Sequence, residues 1–360
     1  MDDRERFLAC MNYQPVDRTP WWELWYWRET IERWQDEGLP ADVYLEEYFG
    51  VDRREHAGVN LGLLPSFRVE TVEDTPEYRI YRDGSGVIRQ EFKEKGDLTM
   101  PKWLRFPLET RDDWEREFKP KLNPESPCRY PLRWQEMKSL WATRDYPLAI
   151  SAGSIYGWLR NWMGFERISV TLYDDPEWIQ EMMDYLADFV VATIARAIEE
   201  VQFDYATMWE DMAYKTAPHL SPAMFRRFML EPYKKITSAL RDHGVDLIFV
   251  DCDGNAEPLI PLWLEGGVNG IYPLERAAGQ DPGWLRSKYG RQLRLIGGID
   301  KRAMAEGPAA IDCQLQQVRP LLAEGGYIPW CDHLVPPDVP LENYLYYVKR
   351  MKELTRLVHP

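Results

Sequence analysis

A single (β/α)8 barrel, a TIM barrel with an N-terminal extension and a decorated insertion, is the fold predicted by three observations. From Tyr146 onward, short apolar runs alternate with amphipathic helical stretches. Six such units follow one another with no linker between them, and polar residues collect where each apolar run stops. The 360 residues and 45% hydrophobic content suffice for one large barrel or two ordinary domains, so the order of elements decides. An open doubly wound sheet is the alternative, but no GxGxxG follows the first strand and no GxxxxGK[ST] occurs.

The elements follow in order. Asp2 to Cys10 predicts a short helix, and Pro15 to Pro20 leads into a first strand, Trp21 to Trp25. Helical pieces occupy residues 30 to 60. Tyr78-Arg79-Ile80-Tyr81 and Val87-Ile88-Arg89-Gln90 flank the Gly-rich turn 82–86, a hairpin signal. Residues 100 to 133 carry Pro, Trp and charge without periodicity, so the stretch 60–135 reads as an insertion on a barrel spanning 1–360. The regular units are the strands Pro147–Ser151, Phe203–Trp209, Leu247–Val250, Val268–Tyr272, Gln292–Ile296 and Gly326–Trp330. Their helices centre on 176–200, 222–243, 256–265, 282–289, 309–323 and 341–357. With Trp21–Trp25 and one strand placed loosely within 61–92, the count reaches eight.

Charge and cysteine content narrow the functions. A net charge of −15 argues against nucleic acid or an anionic membrane surface as partner. The first residues, MDDRERFLACMNYQP, have no signal-peptide pattern and no apolar run reaches membrane-spanning length, so a cytoplasmic location is expected. Cys10, Cys128, Cys252, Cys313 and Cys331 are odd in number and form no CxxC, which fits reduced thiols. A metal would therefore need Asp, Glu or His.

Chemistry in such a barrel gathers at the carboxyl ends of strands, and these ends are acidic: Glu210 and Asp211, Asp251 and Asp253, Glu275, Asp300, Asp332. In LIFVDCDGN, residues 247–255, strand alternation turns Asp251 and Asp253 to one side and Cys252 to the other. His333 follows the last strand directly. The other histidines, His56, His219, His243 and His359, read as structural or solvent-exposed. Asp251, Asp253 and His333 thus form a candidate site, with Glu210 or Asp211 as proton donor or fourth ligand. The set either binds a divalent cation, zinc being the first choice, or exchanges protons. Trp25, Trp27, Arg28, Tyr156 and Trp209, at or beyond strand ends, are candidates to wall a pocket for a flat or methylated substrate.

The chain resembles the uroporphyrinogen decarboxylase-like superfamily, which includes corrinoid-linked methyltransferases. The resemblance rests on RERFLACMNYQPVDRTPWW near the start, GSIYGWLRNWMGFE at 153–166 and WEDMAYKTAPHLSPAMFRRF at 209–228. It continues through VDCDGNAEPLIPLWLEGGVNGIYPLE at 250–275, GGIDKRAM at 297–304 and GGYIPWCDHLVPPDVPLENY at 325–344. It implies a (β/α)8 barrel. Methyltransferase members carry zinc on His-x-Cys-Gly after one strand and a Cys after the last; the matching positions here hold Asp251, Asp253 and His333. All three residue types differ, and oxygen donors speak against thiol activation. The resemblance therefore implies metal-assisted removal of methyl from a small O- or N-methylated substrate, with transfer to a corrinoid carried on a partner protein. Decarboxylating members hold substrate carboxylates with paired arginines in an RQAGRY-like segment; this chain has TPWWELWYWRE, with Arg28 alone. Decarboxylation is the second expectation, and an inactive barrel that docks a corrinoid protein the third.

Overall fold

The structure, a computed structural model, describes residues 1–93 and 100–357. After an opening helix, Asp3–Met11, comes a two-residue strand β1 (Glu55–His56). Four antiparallel strands follow: β2 (Glu70–Asp74), β3 (Tyr78–Arg82), β4 (Ile88–Phe92) and β5 (Lys102–Arg105). Then β6 (Leu148–Ser151), β7 (Tyr205–Trp209), β8 (Ile248–Asp251), β9 (Gly270–Tyr272), β10 (Arg294–Ile296) and β11 (Tyr327–Ile328) alternate with helices. β1 and β6 to β11 make one parallel sheet in sequence order; β2 to β5 make a separate antiparallel sheet.

Side-chain parity sets the layers. Leu247 and Phe249 face the inside of the curled sheet with Trp22, Ala149, Tyr205, Ile328 and Trp330. Ile248 and Val250 face the surrounding helices. Phe7 and Met11 of the opening helix plug the inner core. That helix is held in place by its own sequence, because Asp2 and Glu5 form a reciprocal capping box. Asp175, Ser221 and Asp281 cap three later helices by accepting from a backbone N–H of the first turn, each with Pro at the next position.

The parallel strands and helices from residue 146 onward fall where the sequence places them, with shorter strands. Among the described residues the parallel sheet has seven strands, and the segment expected as the first one is not among them. Trp21–Trp27 is extended and reaches both edges of the sheet: Asp52 N donates to Trp21 O at 3.0 Å, and Val335 N to Trp25 O at 3.0 Å. A single parallel bridge, Tyr26 to Val335, is all the ladder it makes. Side chains take the remaining positions, since the Glu23 carboxylate accepts from Cys331 N and the Arg54 guanidinium donates to Glu23 O. The parallel strand expected within 61–92 is also corrected. β1 at Glu55–His56 takes that place, and its polar residues carry no apolar run that could announce a strand.

The hairpin at 78–92 forms as expected, with Asp83 Oδ1 accepting from Ser85 N and Val87 N across its turn. The stretch 60–135 divides in two. Every residue of β2 and β5 is exposed, whereas Leu108, Trp114, Phe118, Leu122 and Trp134 are buried in the main core.

Candidate functional site

The acidic strand ends meet in one mouth. One carboxylate oxygen each from Asp211, Asp251 and Asp253 lies within 4.8 Å of the others. Asp253, Glu275 and His333 form a second such group, so Asp253 belongs to both. His333 Nε2 stands 3.3 Å from Asp253 Oδ2. Alternation explains the arrangement: Asp251 ends β8 on the inward side, Asp253 follows two residues on, and Cys252 points outward to receive Met212 N at 3.3 Å. Gly254, at φ +78°, lets the chain turn where a Cβ would lie 2.6 Å from Ala213 O.

Each loop is pinned from behind. Glu275 accepts from Gly254 N at 3.0 Å and from Lys301 Nζ at 3.1 Å. Asp332, fully buried, accepts from Arg276 N and Lys301 N, tying the loops after β9, β10 and β11 together. Asp211 adopts φ +45° beside an Arg160 guanidinium that donates to its carbonyl. Asp300 caps the helix Lys301–Glu306 and pairs with Arg302, which makes it structural.

Electrostatics within the mouth are strained. Burial and the neighbouring Asp253 and Asp211 carboxylates push the Asp251 carboxyl well up, and burial with Asp253 raises that of Asp211. Burial would lower the His333 imidazole, but the Asp253 carboxylate outweighs it and raises the pKa. The cluster therefore holds protons readily or accepts a cation.

Several expected site residues lie elsewhere. Glu210 is a correction: it is fully buried on the outward face and accepts five internal hydrogen bonds, from Ile155 N, Tyr156 N, Gly157 N, Ser154 Oγ and Tyr233 Oη, at 2.8 to 3.1 Å. Strand parity puts it opposite Trp209 and away from the mouth. Its task is to hold the start of the helix Tyr156–Met163. Tyr156 is fully buried behind the site and is no pocket wall. Trp25 is exposed beside Tyr26, Arg28 is exposed near Glu29 and Glu32, and Trp209 packs under the Arg160 guanidinium. Trp27 is half-buried at the start of the helix Arg28–Asp36.

The aromatic wall belongs to other residues. A cavity of about 450 Å³ lies between the turn joining β3 and β4 and the mouth, lined by Val87, Trp103, Phe106, Phe165, Tyr214 and His219, with Asp211 at its inner end. No strand-end rule reaches across from an antiparallel sheet, and that is why sequence reading missed it. Among the other histidines, His56 stands exposed on β1 against Tyr205. His243 contacts Ala239 O, and His359 lies outside the described residues. A groove along the final helix, at Leu345, Lys349 and Lys352, lies apart from these groups.

A curled parallel sheet with an acid-and-imidazole mouth at its carboxyl ends defines an α/β protein of barrel type. More narrowly, the chain belongs to the uroporphyrinogen decarboxylase family, whose model, described as Uroporphyrinogen decarboxylase (URO-D), matches residues 104–354. A uroporphyrinogen decarboxylase from Maricaulis maris is 26% identical over 192 residues, a match spanning 52% of this chain and 52% of that protein. One from Shewanella piezotolerans is 24% identical, covering 99% of this chain and 98% of its own. A solved methyltransferase from Methanosarcina mazei shares the fold, with a TM-score of 0.62 at 16% identity over 98% of this chain and 99% of its own. Among the described residues no helix is long and apolar enough to cross a membrane.

Proposed function

We propose that this member of the family is a methyltransferase that demethylates a small O- or N-methylated substrate with the help of a divalent cation. The observation that carries the reading is the double grouping of ligand atoms around Asp253. Three carboxylates within 4.8 Å of one another repel, and burial together with that repulsion raises the pKa of Asp251. A cation relieves it, and Asp211, Asp251, Asp253, Glu275 and His333 are the residues that would hold one. Mixed carboxylate and imidazole donors suit zinc or manganese and do not suit a soft thiolate-selecting site. When bound, such an ion supplies Lewis acidity to a substrate oxygen or nitrogen.

The chain's own groups do the rest. Whichever of Asp211 and His333 is not holding the cation would supply the proton that the departing oxygen or nitrogen needs once its methyl is lost, since burial and Asp253 raise the pKa of Asp211 and Asp253 raises that of His333. Lys301 holds Glu275 in place. The methyl acceptor in this reading is a corrinoid on a partner protein, as the resemblance to corrinoid-linked methyltransferases implies.

The test is metal analysis of the purified protein, followed by assay of methyl transfer from methoxy compounds to reduced cobalamin. Bound metal near one equivalent, lost in Asp253→Asn together with transfer, supports the reading. Transfer unchanged in that variant overturns it. A second reading, decarboxylation, is favoured by the names of the curated relatives and by acid groups able to replace CO2 with a proton without any metal. Carbon dioxide release from a carboxylated substrate by metal-free protein would select it. Absence of metal and of both activities would leave an inactive docking barrel.

A further inference from the structure

We propose that the cavity between the antiparallel sheet and the mouth is a binding site for a neutral, planar compound of one or two rings carrying a hydrogen-bonding substituent, with His219 as its reader. The size fits: about 450 Å³ lies in the range of small-ligand pockets. So does the lining. Trp103, Phe106, Phe165 and Tyr214 present aromatic faces from three separate parts of the chain, and Val87 from the turn closes one side. Planar rings are what such faces stack on.

His219 supplies the second, independent observation. Its ring packs 4.3 Å from Tyr214, 4.9 Å from Phe165 and 6.0 Å from Tyr156, centroid to centroid. Neither ring nitrogen has a hydrogen-bond partner among the described residues, although both are shielded from solvent. Buried polar atoms without partners are costly, and a ligand that satisfies them gains specificity accordingly. Burial and Arg160 keep the imidazole neutral, at a pKa of about 4, so it offers one donor and one acceptor.

The surrounding charges point to a neutral ligand. Arg89 donates to the Tyr81 hydroxyl and lies near Asp83 and Glu91; Arg160 donates to Asp211 O and Asn161. Both guanidinium groups at the cavity are thus already engaged by acceptors, and Asp83 and Asp211 add negative charge. The formal charges of the lining balance, Arg89 and Arg160 against Asp83 and Asp211, so a carboxylate gains no net attraction there. Asp211 also belongs to the carboxylate cluster, so a ring seated here places a substituent at the mouth; that orientation rests on the methyl-transfer reading, whereas the binding itself does not.

Binding of three probes to the full-length protein is measured by calorimetry, with no turnover required: 2-methoxyphenol, methoxybenzene and 4-methoxybenzoate. The phenol should bind at least ten-fold more tightly than methoxybenzene, which lacks only the hydroxyl, and more tightly than the benzoate. His219→Phe, which keeps the aromatic packing, should erase the preference for the phenol. Trp103→Ala, at an exposed position, should weaken all three probes by five-fold or more while metal content stays unchanged. Equal binding of phenol and methoxybenzene, a preference that survives His219→Phe, or tighter binding of the benzoate overturns the proposal. Specific binding without methyl transfer leaves this site standing and removes the methyl-transfer reading; transfer that is indifferent to Trp103→Ala and His219→Phe does the reverse.

Discussion

His333 Nε2 and Asp253 Oδ2 lie 3.3 Å apart, joining the loop after β11 to the loop after β8 across the mouth of the sheet. The contact raises the imidazole pKa against the lowering effect of burial. Asp253→Asn should therefore lower the His333 pKa. Titration of the His333 ring signal by NMR checks this, and an unchanged midpoint would show that the pair is not formed in solution.

Cation affinity should rise with pH. Asp251 and Asp211 have raised pKa values in the folded protein, and both must lose protons before they act as ligands. Thermal stabilisation by zinc or manganese should accordingly be small at pH 5 and larger at pH 8. A shift that shrinks on going from pH 5 to pH 8 would speak against these carboxylates as ligands.

Glu23 sets a second pH dependence. Fully buried, it accepts from Tyr347 Oη at 2.9 Å and from Cys331 N at 3.3 Å, and burial lifts its pKa to about 7. A raised pKa means that its contribution to stability is complete below the unfolded carboxyl pKa and is lost as pH climbs through about 7. Between pH 5 and pH 8 the loss should be on the order of 2–3 kcal/mol. Glu23→Gln should flatten that part of the stability profile in urea denaturation; an unaltered slope would show that Glu23 titrates normally.

Glu210 is a structural carboxylate, and its variants should say so. Glu210→Ala strips partners from three backbone amides and two hydroxyls, a cost of roughly 3–5 kcal/mol. Glu210→Gln should cost less and leave metal content unchanged. Loss of metal in a folded Glu210→Gln protein would return the residue to the site.

We propose that the antiparallel sheet is an appendage of the main body. β2 and β5 are wholly exposed, whereas the core takes up again at Leu108. Replacing residues 68–105 by a short flexible linker should preserve cooperative unfolding of the remainder. Failure of that variant to fold would show that the sheet is part of the body.

The sequence alone determined the alternation of strands and helices from residue 146 and the inward parity of Asp251 and Asp253. It also determined the position of His333 beyond the last strand. These are local properties: period two in a strand, capping at a helix start, a polar break after an apolar run. Tertiary structure decided what local rules do not encode. Glu210 and Asp211 are adjacent in sequence, yet one turns outward to five donors and the other inward to Asp253, because parity alternates at the end of β7. The closing strand was lost to the side chains of Glu23 and Arg54, which took up backbone partners that a ladder would have used. Part of the cavity wall, Val87 and Trp103, comes from the antiparallel sheet and its turn, and only packing of that sheet against the main body brings them to within a cavity's width of Asp211.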